Sequence, residues 1–451
     1  MDEVLRALED IVEAGRSPQP QGTMHAAKRM LLDSVGCVLG GYRERVPVIV
    51  RRVSRRRVKP GGTHAFGIRE TLHPDAAAFA NSVMIRFLDY NDTHGAAVGV
   101  GHPSDYIPAA MARLGEQEIS GELALRAIGV EYEVFCRLAE ATRLGVERID
   151  HVLNGAVASA AAAAVANGLP AEQTRHALSL AVTANLSLQA TRLGELSMWK
   201  GCAAGNACRN GVFAAELAAA GITGPPAPFT GRGGLFRVTG GEPDMPWLGP
   251  SADPAIAGCH VKRFPSGYFS QGAIEAAIDA RGRLNGRVPV AVRVGTFEFG
   301  KTVMAGDAEK WHPATRETAD HSIPYVVACA LARGGVTRED MDESQLAAPD
   351  IRRLLDVLTV EIDPECMAAW PEACMNKVTV TCADGSEESA TVRYYRGHAK
   401  NPMSDRELED KFRDQAASVI TDADADTLIK AIWTLDEAAS TDALFAWTAL
   451  G

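Results

Sequence analysis

The hydrophobic pattern of this 451-residue chain changes its period near Gly258, and that change limits the fold more than any other feature. Before it, apolar residues recur at helical spacing. LEDIVEAG and AAKRMLLDSVGCVLGG read as amphipathic helices, the second stopping at Gly40-Gly41. DAAAFANSVMIRFLDYND is a third helix. SGELALRAIGVEYEVFCRLAEAT is a long fourth, with Ser120 and Glu122 in N-cap surroundings. VASAAAAAVANGL, AEQTRHALSLAVTANL and WKGCAAGNACRNGVFAAELAAAGITG follow, the last rich in small residues that allow close helix contacts. No strand pattern of comparable strength interrupts these segments, which predicts one large helical bundle. A Gly/Pro-rich connector, Gly224 to Asp244, is the expected boundary.

Beyond the connector, Val288 to Phe299 and Val357 to Asp363 alternate as strands do, and Lys377 to Tyr395 reads as a hairpin. Helices QGAIEAAIDARGRLN and HSIPYVVACALARGG lie between them. Strands mixed with helices, without strict βαβ alternation, predict an α+β unit. From Met403 the pattern is helical again, and this tail is expected to pack back onto the bundle.

Composition narrows the function classes. A hydrophobic content of 46% with 23% charged residues is that of a soluble globular protein and not of a disordered one. No uncharged apolar run reaches the roughly eighteen residues a bilayer requires. The acidic, amphipathic N-terminus MDEVLRALEDIVEAG does not resemble a secretory signal. The cysteines are nine, an odd number, with no C-x-x-C pair. This fits reduced thiols in the cytoplasm and offers no zinc-site spacing. A net charge of -11 opposes general affinity for nucleic acid or anionic membranes. The basic run Arg51 to Lys59 is read as a solvated face or a subunit contact.

The densest polar cluster runs from Phe87 to Tyr106 and holds Asp89, Asn91, Asp92, Thr93, His94, His102, Ser104 and Asp105. Carboxylates and imidazoles gathered at the end of an apolar helix can move protons near neutral pH. The same pattern also suits a helix terminus with Asx-turns. A second cluster, ERIDHVLNG, holds Asp150, His151 and Asn154. A third, SMWKGCAAGN, sets Lys200 among small residues, where lysine is seldom buried unpaired. Lys262 to Gly272 and Trp311 to Tyr325 are further candidates, the latter with Arg316, Asp320 and His321.

FLDYNDT followed by GHPSD, then IDHV before an Ala-rich helix, WK before a small-residue helix, an FP segment leading into QGAIEAA, and DHSIPY resemble, in the same order, segments of the MmgE/PrpD family. The resemblance covers nearly the whole chain. It implies a discontinuous all-helical domain, residues 1–258 plus 400–451, and a smaller α+β lid domain, residues 259–399. It also implies a homodimer in the cytoplasm and a lyase that needs no metal or other cofactor. The implied activity is dehydration of a small polycarboxylate such as 2-methylcitrate. Decarboxylation of a cis-aconitate-like acid or epimerisation of an amino-dicarboxylate are the alternatives, and a non-enzymatic binding protein is the remaining one.

Carried over by position, the family's site falls on Asp89, His102, His151 and Lys200, with Thr93 binding substrate. Arg86, Arg209, Ser266, Gln271 and His321 are added as further substrate-binding candidates. Asp89 and His102 are expected to form the base and acid pair, with Lys200 and a protonated His151 meeting the charge built on a substrate carboxylate. The chain departs from the family in its lid. Members carry a histidine either where this chain has Gln271 or two residues earlier, where it has Phe269.

Overall fold

A computed structural model describes residues 2–96, 99–142, 144, 149–239 and 253–450. The end of the Gly/Pro-rich connector, residues 240–244, lies outside the described residues. The helical half opens with α1 (Glu3–Gly15), α2 (Gln21–Gly40) and α3 (Arg45–Ser54). A hairpin of β1 (Val58–Ala65) and β2 (Ile68–Leu72) leads into α4 (Pro74–Arg86). A second, three-residue-per-strand hairpin pairs β3 (His94–Ala96) with β4 (Gly99–Gly101). Then come α5 (Gly121–Ala141), α6 (Val152–Ala166), α7 (Ala171–Thr183) and α8 (Trp199–Ala219). The two hairpins correct the reading of an uninterrupted helical region. Their sequences carried no strand signal: VKPGGTHA contains a proline and two glycines, and the β3/β4 hairpin is too short for alternation to register.

Helix ends follow local chemistry. Ser120 caps α5 by accepting from the Leu123 backbone N–H at 3.2 Å, one of the donors a helix start leaves unsatisfied. The centre of the bundle is set by α6. Every one of its residues is buried, as befits a helix apolar on all sides. It packs between α5 and α8. Alanines and glycines make this close approach possible. A Cβ at Gly211 of α8 would lie 2.2 Å from the Ala156 carbonyl oxygen of α6, and one at Gly155 would lie 1.8 Å from the Tyr106 ring.

The smaller part begins with α9 (Gln271–Leu284), continues through β5 (Pro289–Thr296), α10 (Ile323–Arg333) and β6 (Leu358–Ile362), and ends with β7 (Asn376–Cys382) and β8 (Glu387–Val392). The sheet order is β6-β5-β7-β8, with β5 parallel to β6 and antiparallel to β7. Val292, Val294, Val378 and Val380 join residues of α9 and α10 in one apolar core. The fold is therefore mainly α with a smaller α+β part, as the change of period predicts.

A separate and larger core takes residues from Val4 to Val261 and, after the sheet, from Met403 onward. Helix α11 (Asp405–Ala416), started by a Ser404/Glu407 capping box, packs on α2 and buries Leu408 and Phe412 there. Lys411 on α11 pairs with Asp33 at 2.6 Å. It also donates to the backbone carbonyls of Tyr90 (2.9 Å) and Lys262 (2.8 Å). In the basic run, Arg51 departs from the solvated reading. It is buried, with its guanidinium 3.8 Å from the Tyr42 ring centroid. Among the described residues no helix is long and apolar enough to cross a membrane.

The contact at Gly211 meets backbone, which cannot step aside. Gly211→Ala should therefore destabilise the protein by about 1–3 kcal/mol, read as a lower midpoint in urea unfolding. An unchanged midpoint would show that α6 and α8 have slack.

Candidate active site

Helix α4 ends at Arg86, and three residues later Asp89 adopts a left-handed backbone, φ 52°. Aspartate tolerates this region better than most side chains. The turn folds the Asp89 carboxylate back against the helix end, where it is wholly buried. Arg86 Nη1 lies 2.8 Å from its Oδ1, and Lys262 Nζ contacts the same oxygen while donating to the Asp89 carbonyl at 2.9 Å. Lys200 Nζ and His321 Nε2 each stand 3.2 Å from Oδ2. Asp320 completes the group, with Oδ1 2.7 Å from both Lys200 Nζ and His321 Nδ1. Residues 86, 89, 200, 262, 320 and 321 thus meet around one carboxylate, drawn from α4, α8 and two loops of the smaller part.

Burial alone would raise the Asp89 pKa, but Arg86, Lys262, His321 and Lys200 outweigh it and hold the carboxyl well below its ordinary range. So acidic a group is a poor proton acceptor. The structure does not favour Asp89 as half of the proton-transfer pair and makes it the anchor of the cations. Burial, helped by Lys200, pushes His321 down to about 4. Behind the cluster, burial pushes Asp105 up to about 8 despite Arg86 Nε at 3.4 Å, so this carboxyl is largely protonated at neutral pH.

Two imidazoles stand beside the cations. His102 precedes a 3-10 helix, Pro103–Met111, and His151 is the N-cap of α6. His102 Nδ1 lies 2.8 Å from the Asp92 carbonyl oxygen and 3.3 Å from Thr93 Oγ1. A carbonyl can only accept, so Nδ1 carries the proton and Nε2 keeps its lone pair. His151 Nδ1 lies 2.8 Å from Asp150 Oδ1, and its buried Nε2 has no hydrogen-bond partner. The two rings are 6.1 Å apart, centroid to centroid, edge to face. Burial, then Arg86 and Lys262, hold His102 well below its ordinary pKa; burial also lowers His151, against the pull of Asp150. Burial thus favours the neutral form of both rings, which runs against the expectation of a protonated His151. Helix N-termini add to this, since their dipoles disfavour a cation. Arg192 joins the halves, its Nε 3.0 Å from Asp150 Oδ2 and its Nη1 donating to the Lys200 carbonyl at 3.1 Å.

The other sequence candidates sort by what they touch. Thr93 is paired through its backbone with His260, each donating to the other at 2.8 Å, which seats the loop against the entry to the smaller part. Gln271 spends its amide on the loop before it, accepting from the Arg263 and Phe264 N–H groups and donating to the Phe264 and Ser266 carbonyls. Ser266 Oγ bonds Ser270 Oγ and the Asp320 carbonyl. These two hold the loop that presents Asp320 and His321, and the Gln271 amide is fully used in doing so. Arg209 is exposed on α8 and bonds only its neighbour Asn210, so it lies apart from the cluster. Phe269 points into an aromatic group with Phe297, Phe299 and Trp370.

Sequence reasoning named Asp320 as a candidate without giving it a role, and it gave Lys262 no role although that residue opens a segment marked as a candidate. Nothing local distinguishes a wholly buried lysine from a solvated one. Oxygen and nitrogen atoms of Asp89, Asp320 and His321 lie within 4.8 Å of one another, close enough to share a metal ion. Lys200 Nζ already sits between the two carboxylates, at 3.2 and 2.7 Å. An ammonium there supplies the positive charge a divalent ion would bring.

Removing the anchor should be costly. Asp89→Asn leaves the surrounding cations uncompensated and should destabilise the protein at pH 7 by about 3–5 kcal/mol. The folded carboxyl is more acidic than the unfolded one, whose ordinary value is 3.8. Its contribution is therefore complete above that pH and fades as pH falls below it. Urea unfolding of both proteins across acid pH tests this, and equal stability at pH 7 would contradict it.

The chain resembles known enzymes across most of its length. It is 27% identical over 441 residues to the human cis-aconitate decarboxylase, covering 91% of this chain and 87% of that protein. It is 28% identical to the alkylcitrate dehydratase phiI of a fungal species (86% and 83% covered) and 29% identical to the 2-methylcitrate dehydratase of Escherichia coli K12 (85% and 84%). The MmgE/PrpD N-terminal domain profile matches residues 10–248 and the C-terminal domain profile residues 264–437. With its two profiles in order over nearly the whole sequence, the chain belongs to the MmgE/PrpD family.

Proposed function

We propose that this protein is a lyase, a dehydratase of a small hydroxy-polycarboxylate such as 2-methylcitrate, working through its own side chains. One observation carries the reading: two imidazoles, each anchored through Nδ1, lie within electrostatic reach of a cluster of buried cations. Dehydration needs a base for the α-proton, an acid for the departing hydroxide, and positive charge for the carboxylate that stabilises the carbanion-like transition state. His102 Nε2 takes the proton. Lys200 and Lys262, held by Asp89, receive substrate carboxylates, and Arg86 fixes Asp89. The bound polyanion and Asp150 together draw a proton onto His151, which delivers it to the leaving hydroxide. The C–H and C–O bonds break, a C=C bond forms and water leaves. Helix α8 begins at Trp199 beside Lys200, and the 3-10 helix and α6 begin at His102 and His151. Helix N-termini suit an anionic ligand.

Decarboxylation is the second reading, supported by the similarity to the human cis-aconitate decarboxylase. It needs the same cations but only one proton delivery, to the carbon that loses CO₂. The proposal includes a cytoplasmic setting, in keeping with free thiols. It also includes a homodimer. Leu186, Leu188, Leu193 and Trp199 are exposed in one short stretch beside the site and suit a subunit contact.

Mass spectrometry of a tricarboxylate panel separates the readings, with loss of water expected. Release of CO₂ without loss of water would favour decarboxylation. His102→Ala should lower kcat/KM at least about a hundredfold with the urea midpoint little changed. A base is lost when it is protonated, so the acid limb of the wild-type kcat/KM profile should lie below pH 6.5, the ordinary histidine value. A limb above that pH would remove His102 as the base.

A further inference from the structure

We propose that His94, Cys136 and Cys259 form a structural metal site for a borderline-soft divalent ion, zinc above all. The three residues come from distant places: the first residue of β3, the last turns of α5, and the segment after a short 3-10 turn, Ala255–Gly258. Their ligand atoms lie within 4.8 Å of one another, and all three residues are buried. Cys136 Sγ and Cys259 Sγ are 3.8 Å apart. A tetrahedral ion with metal–sulfur bonds of about 2.3 Å has an edge of about that length.

The imidazole points the same way. His94 is 7% exposed, and its ring engages the Cys259 thiol and the Glu140 carboxylate, groups that are themselves metal ligands. A buried imidazole set among thiols and a carboxylate has the donor types of a zinc site. Glu140 Oε1 stands 3.4 Å from Nε2, a carboxylate at the rim of the cluster that can complete the coordination or steady the ring. Two thiols and an imidazole select zinc over magnesium or calcium. On binding, each thiol loses its proton to solvent as its sulfur bonds the metal. The resulting pair of thiolates neutralises the charge of a divalent ion.

The site's place suggests what it does. His94 follows Thr93 directly, and Cys259 precedes His260, the backbone partner of Thr93. Three residues further on is Lys262, which holds Asp89. A metal here would clamp the catalytic loop, α5 and the crossover to the smaller part without touching substrate.

The test uses the full-length protein loaded with zinc, and separately with cobalt(II) as a spectroscopic stand-in. One equivalent of zinc by elemental analysis is expected. The cobalt form should show a thiolate-to-metal charge-transfer band and tetrahedral d–d bands. X-ray absorption on the wild-type zinc form should show two sulfur ligands, and needs no variant to fold. Binding should be lost in the Cys136→Ala/Cys259→Ala variant and at least about tenfold weaker in His94→Ala. Stoichiometric metal without sulfur ligands, or metal retained by the double-cysteine variant, would overturn the proposal. So would a protein that takes no metal, whether its two thiols stay free or are joined as a disulfide by a thiol oxidant.

Discussion

A single buried carboxylate organises this protein's chemistry. Asp89 has no solvent exposure and is ringed by Arg86, Lys200, Lys262 and His321. The arginine and the two lysines among them would each be costly to bury alone. Together with Asp89 and Asp320 they form a group whose charges nearly balance, and the remaining positive character is what a polycarboxylate would recognise. The arrangement also explains why lysines from both parts of the fold can lie side by side. Asp89 offsets their mutual repulsion, and the left-handed turn after α4 places its two oxygens between them.

The imidazoles follow a different logic. His102 is fixed by a backbone carbonyl, a weak acceptor that sets its tautomer without adding charge. His151 is fixed by Asp150, a carboxylate that favours the protonated ring. Two like groups thus sit in unlike surroundings, one with a neutral partner and one with an anionic partner, and such a difference can set an acid apart from a base of the same residue type. The buried cations depress His102 further, so it remains a free base where an ordinary histidine would begin to charge.

Much of the fold was legible because it rests on local signals. The helices of the body, the Ser120 cap, and the strands from Val288 and Val357 each announce themselves within a few turns of sequence. The β1/β2 hairpin was not legible, because the proline and glycines of β1 argue against a strand and only pairing across the turn makes one. At the site, Asp89, His102, His151 and Lys200 stand in motifs that share an order with a known family, and the structure brings them together. Ser266 and Gln271 stand in such a motif too, yet their side chains serve the loop itself. Lys262 and Asp320 show the converse. Their importance comes from contacts 173 and 120 residues away in sequence, which no local pattern encodes. Arg209 failed for a geometric reason, since it lies two and a half turns along α8 from Lys200, by the 3.6-residue turn, and faces outward.

The chain's last helices carry a consequence for how the molecule is made. Lys411, on α11, grips the carbonyls of Tyr90 and Lys262, the backbone on either side of the anchor. During synthesis every residue of the Asp89 cluster leaves the ribosome well before Lys411 does. The backbone on either side of Asp89 therefore gains this support only when the C-terminal segment has emerged. A chain cut short before Lys411 would carry every residue of the Asp89 cluster and still lack the ammonium that ties its two flanking strands of backbone together.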